Sequence, residues 1–263
     1  MNRLTGQHIL VTGAGSGIGQ ATALRLAAEG ATVVAADING DGLAATTARA
    51  ADTGISEEIT TLEMDIGDEA SVVAGVAETV DRLGGLDSVV NAAGMLRAAH
   101  THAMSLDAWN QILTVNLTGT FLVVREALPA LLANPTSAVV NFSSTSASFA
   151  HPYMAAYSAS KGGIQSFTHS LALEYSRQGL RAVNVCPGSI KSGITEGTGQ
   201  WMPTDANWEL LAKLSPALPT TLESGGAGMG SPDAVAGVVA MLVSTDGAFI
   251  SGTEIRIDGG THA

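Results

Sequence analysis

Basic residues are scarce in this chain, where 12 Lys and Arg stand against 24 Asp and Glu and the formal net charge is -12. Nucleic acids and anionic membranes are bound by basic faces, so this balance argues against both partners. Charged residues make up only 14% of the 263 residues, against roughly 25% in an average soluble domain. Hydrophobic residues make up 46%. This composition excludes intrinsic disorder and predicts a folded protein with large buried faces.

Cysteine is nearly absent. The lone Cys186 excludes an internal disulfide framework and a Cys-rich zinc site, and it suits the reducing cytoplasm, which is the expected location. The six His residues show no clustered ligand spacing, so we expect no metal. No run of about 18 apolar residues lacks a polar interruption, and no apolar signal core opens the sequence. We therefore expect neither a membrane-spanning helix nor a signal peptide.

Short apolar runs alternate with helical patterns along most of the chain. Several runs are typical of buried parallel strands, namely His8–Thr12, Thr32–Asp37, Leu86–Val90 and Ala138–Phe142. Helices are expected over Glu69–Leu83, over the long stretch Leu106–Leu132 and near Pro232–Val243. This alternation predicts an α/β fold, a Rossmann-type doubly wound parallel sheet of about seven strands in three α/β/α layers. Residues 1–263 are expected to form a single domain. Residues 193–230, rich in Gly, Pro, Ser and Thr, interrupt the alternation and predict an insertion that covers the site.

A glycine-rich turn follows the first predicted strand, with the sequence Thr12-Gly13-Ala14-Gly15-Ser16-Gly17-Ile18-Gly19. Glycine lets backbone N–H groups approach a pyrophosphate, and the following helix adds the positive end of its dipole. A glycine-rich turn that serves only the packing of the backbone would have the same sequence pattern. The strand before it, the helix after it and an acid at the end of strand two favour a dinucleotide site.

That acid is Asp37, which can accept hydrogen bonds from an adenosine ribose or can be a solvated residue at a strand end. In the ribose position it would repel a 2′-phosphate by roughly 1 kcal/mol in water and about 4 kcal/mol at an effective dielectric of about 20. Neither Ser16 nor Ile38 supplies a basic side chain to offset this repulsion. We therefore expect NAD to be preferred over NADP, by several-fold up to about a thousandfold.

Two more strand ends carry polar residues. Asp65 follows the third strand and could bind the adenine amino group or cap a helix. Asn91-Ala92-Ala93-Gly94 follows the fourth strand, where small residues would let a cofactor lie against the backbone, or would simply form a turn.

Ser144, Tyr157 and Lys161 form the strongest candidate catalytic set. Tyr157 and Lys161 are four residues apart and share a helix face. A lysine ammonium beside a phenol favours phenolate, so we expect a lowered tyrosine pKa and proton exchange with a substrate hydroxyl or carbonyl. Ser144 follows strand five on the same side of the sheet and could hold the substrate oxygen. A Tyr–Lys pair alone would suggest a surface pair; with Ser144 and the glycine turn it indicates catalysis.

The chain resembles the single-domain short-chain dehydrogenase/reductase family over nearly its whole length. The matching pieces occur in family order and spacing: Thr12-Gly13-x-x-x-Gly17-x-Gly19, Asp65, Asn91-Ala92-Ala93-Gly94, Asn116, Ser144, Tyr157-x-x-x-Lys161 and Pro187-Gly188. The resemblance implies hydride transfer between NAD(H) and a secondary alcohol or ketone by a Ser-Tyr-Lys catalytic triad. It also implies a homo-oligomer, with a tetramer as the family expectation.

The resemblance implies a role for each matching residue. Tyr157 is the expected acid/base, Lys161 binds the nicotinamide ribose and lowers the tyrosine pKa, and Ser144 polarises the substrate oxygen. Asn116 resembles the helix-bend residue that holds a proton-relay water. The implied cofactor-binding set comprises Gly13, Ser16, Gly17, Ile18, Gly19, Asp37, Asp65, Ile66, Asn91, Ala92, Gly94, Val115, Tyr157, Lys161, Pro187, Gly188, Ile190 and Ser192.

The substrate stays open at this point. Apolar residues in the insertion and nearby suit an apolar alcohol or ketone, or else pack a lid or subunit contact: Trp201, Met202, Trp208, Leu210, Leu211 and Met229, with Met95, Leu96, His151 and Tyr153. For His151 we favour a loop-capping role over one in the chemistry. The alternative substrate is a 3-oxoacyl thioester on acyl carrier protein, an acidic partner that a net charge of -12 would repel at long range. The intact catalytic set argues against a non-catalytic dinucleotide sensor, and the chain length against a sugar epimerase with its extra substrate domain.

Overall fold

Seven parallel strands form one sheet in the computed structural model, which describes residues 2–194, 199–218 and 228–263. The strand order is β3-β2-β1-β4-β5-β6-β7. The strands are β1 (His8–Thr12), β2 (Thr32–Asp37), β3 (Ile59–Glu63), β4 (Ser88–Asn91), β5 (Ala138–Phe142), β6 (Arg181–Pro187) and β7 (Glu254–Ile257). β1 pairs with β2 on one side and β4 on the other, so the crossovers reverse direction there. A crevice forms at such a switch point, beyond the carboxyl ends of the strands.

Helices cover both faces of the sheet. They are α1 (Gly17–Ala28), α2 (Gly40–Asp52), α3 (Glu69–Leu83), α4 (Leu106–Leu113), α5 (Gly119–Leu132), α6 (Ala155–Tyr175), α7 (Trp208–Ala212) and α8 (Pro232–Val243). One hydrophobic cluster joins the sheet to α1 and α8, and a second joins it to α3 and α5. Successive residues of β2 alternate between the two clusters, because strand side chains point to opposite faces. The predicted doubly wound, three-layer fold is confirmed.

Capping residues explain where several helices begin and end. Asp68 accepts a hydrogen bond from Ala70 N at the start of α3, and Gly84 ends that helix in the left-handed conformation. Ser231 caps α8 by accepting a hydrogen bond from Asp233 N, and Pro232 occupies the first helical position. These local signals are readable in the sequence, which is why the predicted bounds of α3 and α8 match the structure.

The helical stretch predicted over Leu106–Leu132 is broken by one π-helical turn at Thr114–Thr118, between α4 and α5. By length and composition alone this stretch could cross a membrane, with a mean hydropathy of 1.3. However, 44% of its most apolar window is buried inside the fold, and Val123 and Leu131 belong to the second hydrophobic cluster. The core helices of globular proteins have this composition.

Candidate active site

The glycine turn after β1 is shaped by close backbone contacts. Gly13 and Gly17 adopt φ angles of 70° and 53°, which disfavour side chains. A Cβ atom on Gly13 would lie 2.6 Å from Ala93 N, and one on Gly19 would collide with the carbonyl oxygen of Gly13. The turn therefore forms a bare backbone cradle at the N-terminus of α1, and a dinucleotide pyrophosphate fits such a cradle.

Asp37 lies at the end of β2, directly beside this turn. Its Oδ2 accepts a hydrogen bond from Gly15 N at 2.8 Å, and its Oδ1 accepts one from Asn39 N at 2.9 Å. These two backbone donors fix the orientation of the carboxylate at the wall of a cavity. Each oxygen keeps a second lone pair with which it can accept a bond from a ribose hydroxyl.

That cavity has a volume of about 760 Å³, within the usual range of roughly 300–1,000 Å³ for small-molecule sites. It extends along the carboxyl edge of the sheet from the glycine turn to the start of α6. The predicted cofactor-binding residues that line it are Gly13, Ser16, Gly17, Ile18, Gly19, Asp37, Asp65, Ile66, Ala92, Gly94, Val115, Tyr157, Lys161, Pro187, Gly188, Ile190 and Ser192.

Asn91 is not among the lining residues. Its side chain is buried and donates to Asn141 Oδ1 at 2.8 Å, and Asn141 in turn donates to Thr168 Oγ1 at 2.9 Å. This chain of amide and hydroxyl groups ties β4 and β5 to α6. Among the described residues, Asn91 therefore helps to hold together the two strands and the helix that support the site.

Ser144, Tyr157 and Lys161 are brought together at the other end of the cavity. Tyr157 and Lys161 line it, whereas Ser144 is buried and is not among the lining residues. Lys161 is 4% exposed, and its Nζ donates to Phe142 O at 2.7 Å. The same Nζ lies 5.6 Å from the centroid of the Tyr157 ring. Ser144 hydrogen-bonds the Tyr157 hydroxyl, and its Oγ also accepts a bond from Ser146 N at 3.1 Å. The predicted trio therefore shares one location.

The expected lowering of the Tyr157 pKa is wrong for the chain's own groups. Burial raises the pKa of Tyr157 to about 12, and the hydrogen bond from Ser144 offsets this only in part. Burial also lowers the pKa of Lys161 to about 8. The physical reason is that burial removes water from the phenol, and the Lys161 ammonium is bonded to the Phe142 carbonyl instead of the phenol. At neutral pH the site thus holds a protonated tyrosine beside a mostly charged lysine.

Asn116 sits in the π-helical turn and is completely buried. Its Oδ1 accepts a bond from Met95 N at 2.8 Å, and its Nδ2 donates to Met95 O and Ser160 Oγ at 2.9 and 3.0 Å. The side chain thereby clamps the segment after β4 to α6, the helix that carries Tyr157 and Lys161. A water-holding role for Asn116 stays a prediction.

Residues 199–218, here called the covering segment, form most of the described part of the expected insertion; residues 195–198 and 219–227 lie outside the described residues. Side-chain contacts with two neighbouring loops help to hold it. The Arg97 guanidinium stacks 3.8 Å from the centroid of the Trp201 ring, and His100 Nε2 lies 2.9 Å from Asp205 Oδ1. Asn207 N donates to the Tyr153 hydroxyl at 2.8 Å. The segment therefore attaches to the loops after β4 and β5.

Only part of the predicted apolar set faces the cavity. Met95, Leu96, His151, Met202, Trp208 and Met229 line it, joined by Met154 and Leu214, which the sequence reasoning missed. Met154 lies three residues before Tyr157, a helical spacing that could have identified it. Trp201 packs on Arg97, Tyr153 binds Asn207, and Leu210 is 41% exposed. Among the described residues, the wall opposite the glycine turn is thus chiefly apolar.

The lowered pKa of His151 predicts that the free energy of unfolding depends on pH. Burial, together with the neighbouring His262, lowers its pKa from 6.5 to about 4. An unfolded chain takes up a proton at this residue below pH 6.5, while the folded chain resists it until about pH 4. The free energy of unfolding should therefore fall as the pH drops from 6.5 to 4, by at most about 3 kcal/mol and by less after solvent screening.

Urea unfolding of wild type and His151→Asn at pH 7 and pH 4.5 measures this term. We expect the wild type to lose more stability between the two pH values than the variant does. Equal losses in both proteins would show that His151 is protonated alike in the folded and unfolded chains.

The chain is similar in sequence and structure to known proteins of one family. The family model described as short chain dehydrogenase matches residues 7–203. A 2-(S)-hydroxypropyl-CoM dehydrogenase 3 from Xanthobacter autotrophicus is 34% identical over 100% of this chain and 99% of its own. A 3-oxoacyl-(acyl-carrier-protein) reductase from Thermotoga maritima is 32% identical over 98% of both chains. The crystal structure of a short chain dehydrogenase from Burkholderia cenocepacia in complex with NADP is 30% identical, with a TM-score of 0.85 and complete coverage of both chains.

Proposed function

Because the chain belongs to the short-chain dehydrogenase family, whose members are oxidoreductases that use a nicotinamide cofactor, we propose that it is an NAD-dependent dehydrogenase of secondary alcohols. The reverse reaction reduces the corresponding ketones. The observation that carries this proposal is that Tyr157 and Lys161 line the same cavity as the glycine turn, with Ser144 hydrogen-bonded to the Tyr157 hydroxyl. A site with both parts can hold a dinucleotide and move a substrate proton.

The residues present fit a nicotinamide dinucleotide. The glycine turn would hold the pyrophosphate, Asp37 a ribose, and Asp65 with Val115 the adenine side. When bound, the nicotinamide supplies the hydride donor or acceptor. The fixed carboxylate of Asp37 supports NAD over NADP, although the Burkholderia relative was crystallised with NADP.

The chain's own residues would supply the proton chemistry. In ketone reduction, the protonated Tyr157 hydroxyl gives its proton to the carbonyl oxygen, while Ser144 donates a hydrogen bond to that same oxygen. The nearby Lys161 charge stabilises the phenolate that is left. Alcohol oxidation runs the same proton transfer backwards, so the raised Tyr157 pKa favours the acid role unless a further positive charge lowers it.

A second candidate function is the reduction of a 3-oxoacyl thioester on acyl carrier protein. The Thermotoga maritima relative, named for that reaction, is the observation in its favour. The net charge of -12 and the position of Asp37 count against it, because the carrier is acidic and Asp37 would repel the NADP phosphate.

We further propose a cytoplasmic homo-oligomer, with a tetramer as the expected form. Phe249 and Leu173 expose most of their apolar side chains, as they would on a surface that a second copy covers. The buried, unpaired thiol of Cys186 suits a reducing compartment.

A substrate panel with both cofactors tests the proposed function. We expect NADH to form with NAD and at least one uncharged secondary alcohol, and NADP to be at least several-fold less effective. Oxidation of NADPH by an acyl thioester, with no turnover of any alcohol or simple ketone, would instead establish the second candidate.

A further inference from the structure

His151 lies in the loop between β5 and α6, which brings its side chain and that of Ser143 to the cavity. Met154, Met202 and Trp208, which line the same cavity, are apolar or largely so. A half-buried imidazole in such surroundings needs hydrogen-bond partners. Its Nε2 has one, because it lies 3.2 Å from the hydroxyl of the buried Thr145. No hydrogen bond to its Nδ1 is made by the described residues.

Stacked aromatic rings restrict the position of the His151 imidazole. His262 stacks on Phe149 with ring centroids 4.1 Å apart, and His151 lies nearly parallel to His262 at 5.9 Å. Nδ1 of His262 is 3.1 Å from Oδ2 of the buried Asp258, which anchors the stack. His151 is therefore an oriented group, since packing and a hydrogen bond both restrict its ring.

Three other polar side chains that line the cavity are already engaged. Ser143 donates to Lys161 O and Ser189 donates to Leu214 O, each at 2.9 Å. Lys161 donates to Phe142 O. Compared with these three groups, the Nδ1 of His151 is a polar atom without a partner among the described residues, so it can accept or donate a hydrogen bond to a substrate.

The imidazole can act as donor or acceptor. Burial and His262 keep its pKa near 4, so the ring is neutral and carries a single proton at physiological pH. When the Thr145 hydroxyl donates to Nε2, the ring proton is on Nδ1. When Nε2 donates to that hydroxyl, Nδ1 is an acceptor. The freely rotating hydroxyl permits both states, which suit a carbonyl or a hydroxyl equally well.

The charged residues that line the cavity restrict the class of substrate further. Lys161 is the one Lys or Arg among the described residues that line the cavity, and residues 195–198 and 219–227 contain neither. A carboxylate or phosphate on the substrate would therefore meet no cation away from the reacting atoms.

On the basis of the proposed function, we propose that His151 binds a second oxygen of the substrate through Nδ1. The substrate is then an uncharged bifunctional molecule, a diol, hydroxyketone or diketone, in which one oxygen reacts at Tyr157 and the other pairs with His151. His151 is in this sense a specificity-determining residue.

Paired substrates test the proposal. We would compare kcat/KM for cyclohexanone with that for cyclohexane-1,2-dione and cyclohexane-1,4-dione, using NADH and purified wild type, His151→Phe, His151→Asn and His151→Gln. Because diketones are intrinsically more reactive, the informative quantity is the diketone-to-monoketone ratio of each variant relative to wild type. We expect His151→Phe to lower that ratio at least about fivefold for one diketone, as the loss of one hydrogen bond implies, and to change cyclohexanone turnover little.

The two amide variants separate this role from a structural one. An Asn side chain places a polar atom where Nδ1 was, whereas Gln reaches the Nε2 position. We therefore expect Asn to recover the ratio and Gln to leave it lowered, with all variants showing a wild-type circular dichroism spectrum and melting temperature within a few degrees. Equal ratios in all four proteins, or equal losses on both ketone classes, would overturn the assignment while ketone turnover still upholds the proposed function. Failure of every ketone in the wild type would overturn both.

Discussion

The variant Tyr157→Phe will lower kcat by about 10²- to 10⁴-fold and leave NAD binding within a few-fold of wild type. Removing the hydroxyl removes the proton donor, and general acid–base catalysis is worth about that much. The phenyl ring keeps its place in α6, so the cavity retains its shape. Steady-state kinetics on the best substrate and a fluorescence titration with NADH would measure the two effects separately.

Tyr175→Phe is the matched control for this variant. It deletes the same atom from the same helix at the opposite end, away from the cavity, and should retain the wild-type rate. A Tyr157→Phe enzyme with more than about a tenth of the wild-type kcat would show that another group transfers the proton.

Replacing Asp37 with Ser will shift cofactor preference toward NADP by several-fold to about a thousandfold, depending on how far water screens the carboxylate. Asp37 also accepts the bond from Gly15 N, so its loss should loosen the glycine turn and weaken both cofactors. The ratio of kcat/KM with NAD to kcat/KM with NADP cancels that shared loss and isolates the charge effect.

Two companion variants sharpen this test. Asp37→Asn removes the charge but keeps an acceptor for Gly15 N, so it should shift the ratio with less loss of absolute affinity. Asp52→Asn removes an equal charge at the far end of α2 and should leave the ratio alone. An unchanged ratio in both Asp37 variants would place the adenosine ribose elsewhere.

The sheet and its helices could be predicted closely because local signals agree with the global fold. The bounds of β1, β2, β5, α3 and α8 are those expected from apolar runs and capping residues. β4 begins at Ser88, two residues later than expected, because pairing with β1 starts opposite Ile9. Leu86 is buried as an apolar run suggests, but burial alone does not place a residue in a strand.

The features that could not be predicted depend on contacts between distant parts of the chain. The π-helical turn around Asn116 is invisible to periodicity, since it adds only one residue to a helical repeat. The Tyr157 pKa moved opposite to expectation because its value depends on how completely the fold removes water, and on where the Lys161 ammonium finds its partner. His151 was assigned to loop capping because the residues around it in the sequence do not indicate its two contacts. These are the hydrogen bond with Thr145 and the parallel ring of His262.

The two walls of the cavity differ in how they are attached, and this matters for anyone who wishes to redesign the enzyme. The wall formed by the glycine turn is made of strand ends and tightly packed glycines, where even an added methyl group collides with backbone. The covering segment is held chiefly by side-chain contacts to neighbouring loops, together with the hydrogen bonds from Ser189 to Leu214 O and from Leu218 N to Gly259 O. Directed-evolution libraries aimed at residues 199–218 should therefore yield many folded variants with altered substrate range. Libraries aimed at the glycine turn should yield mostly misfolded or inactive variants.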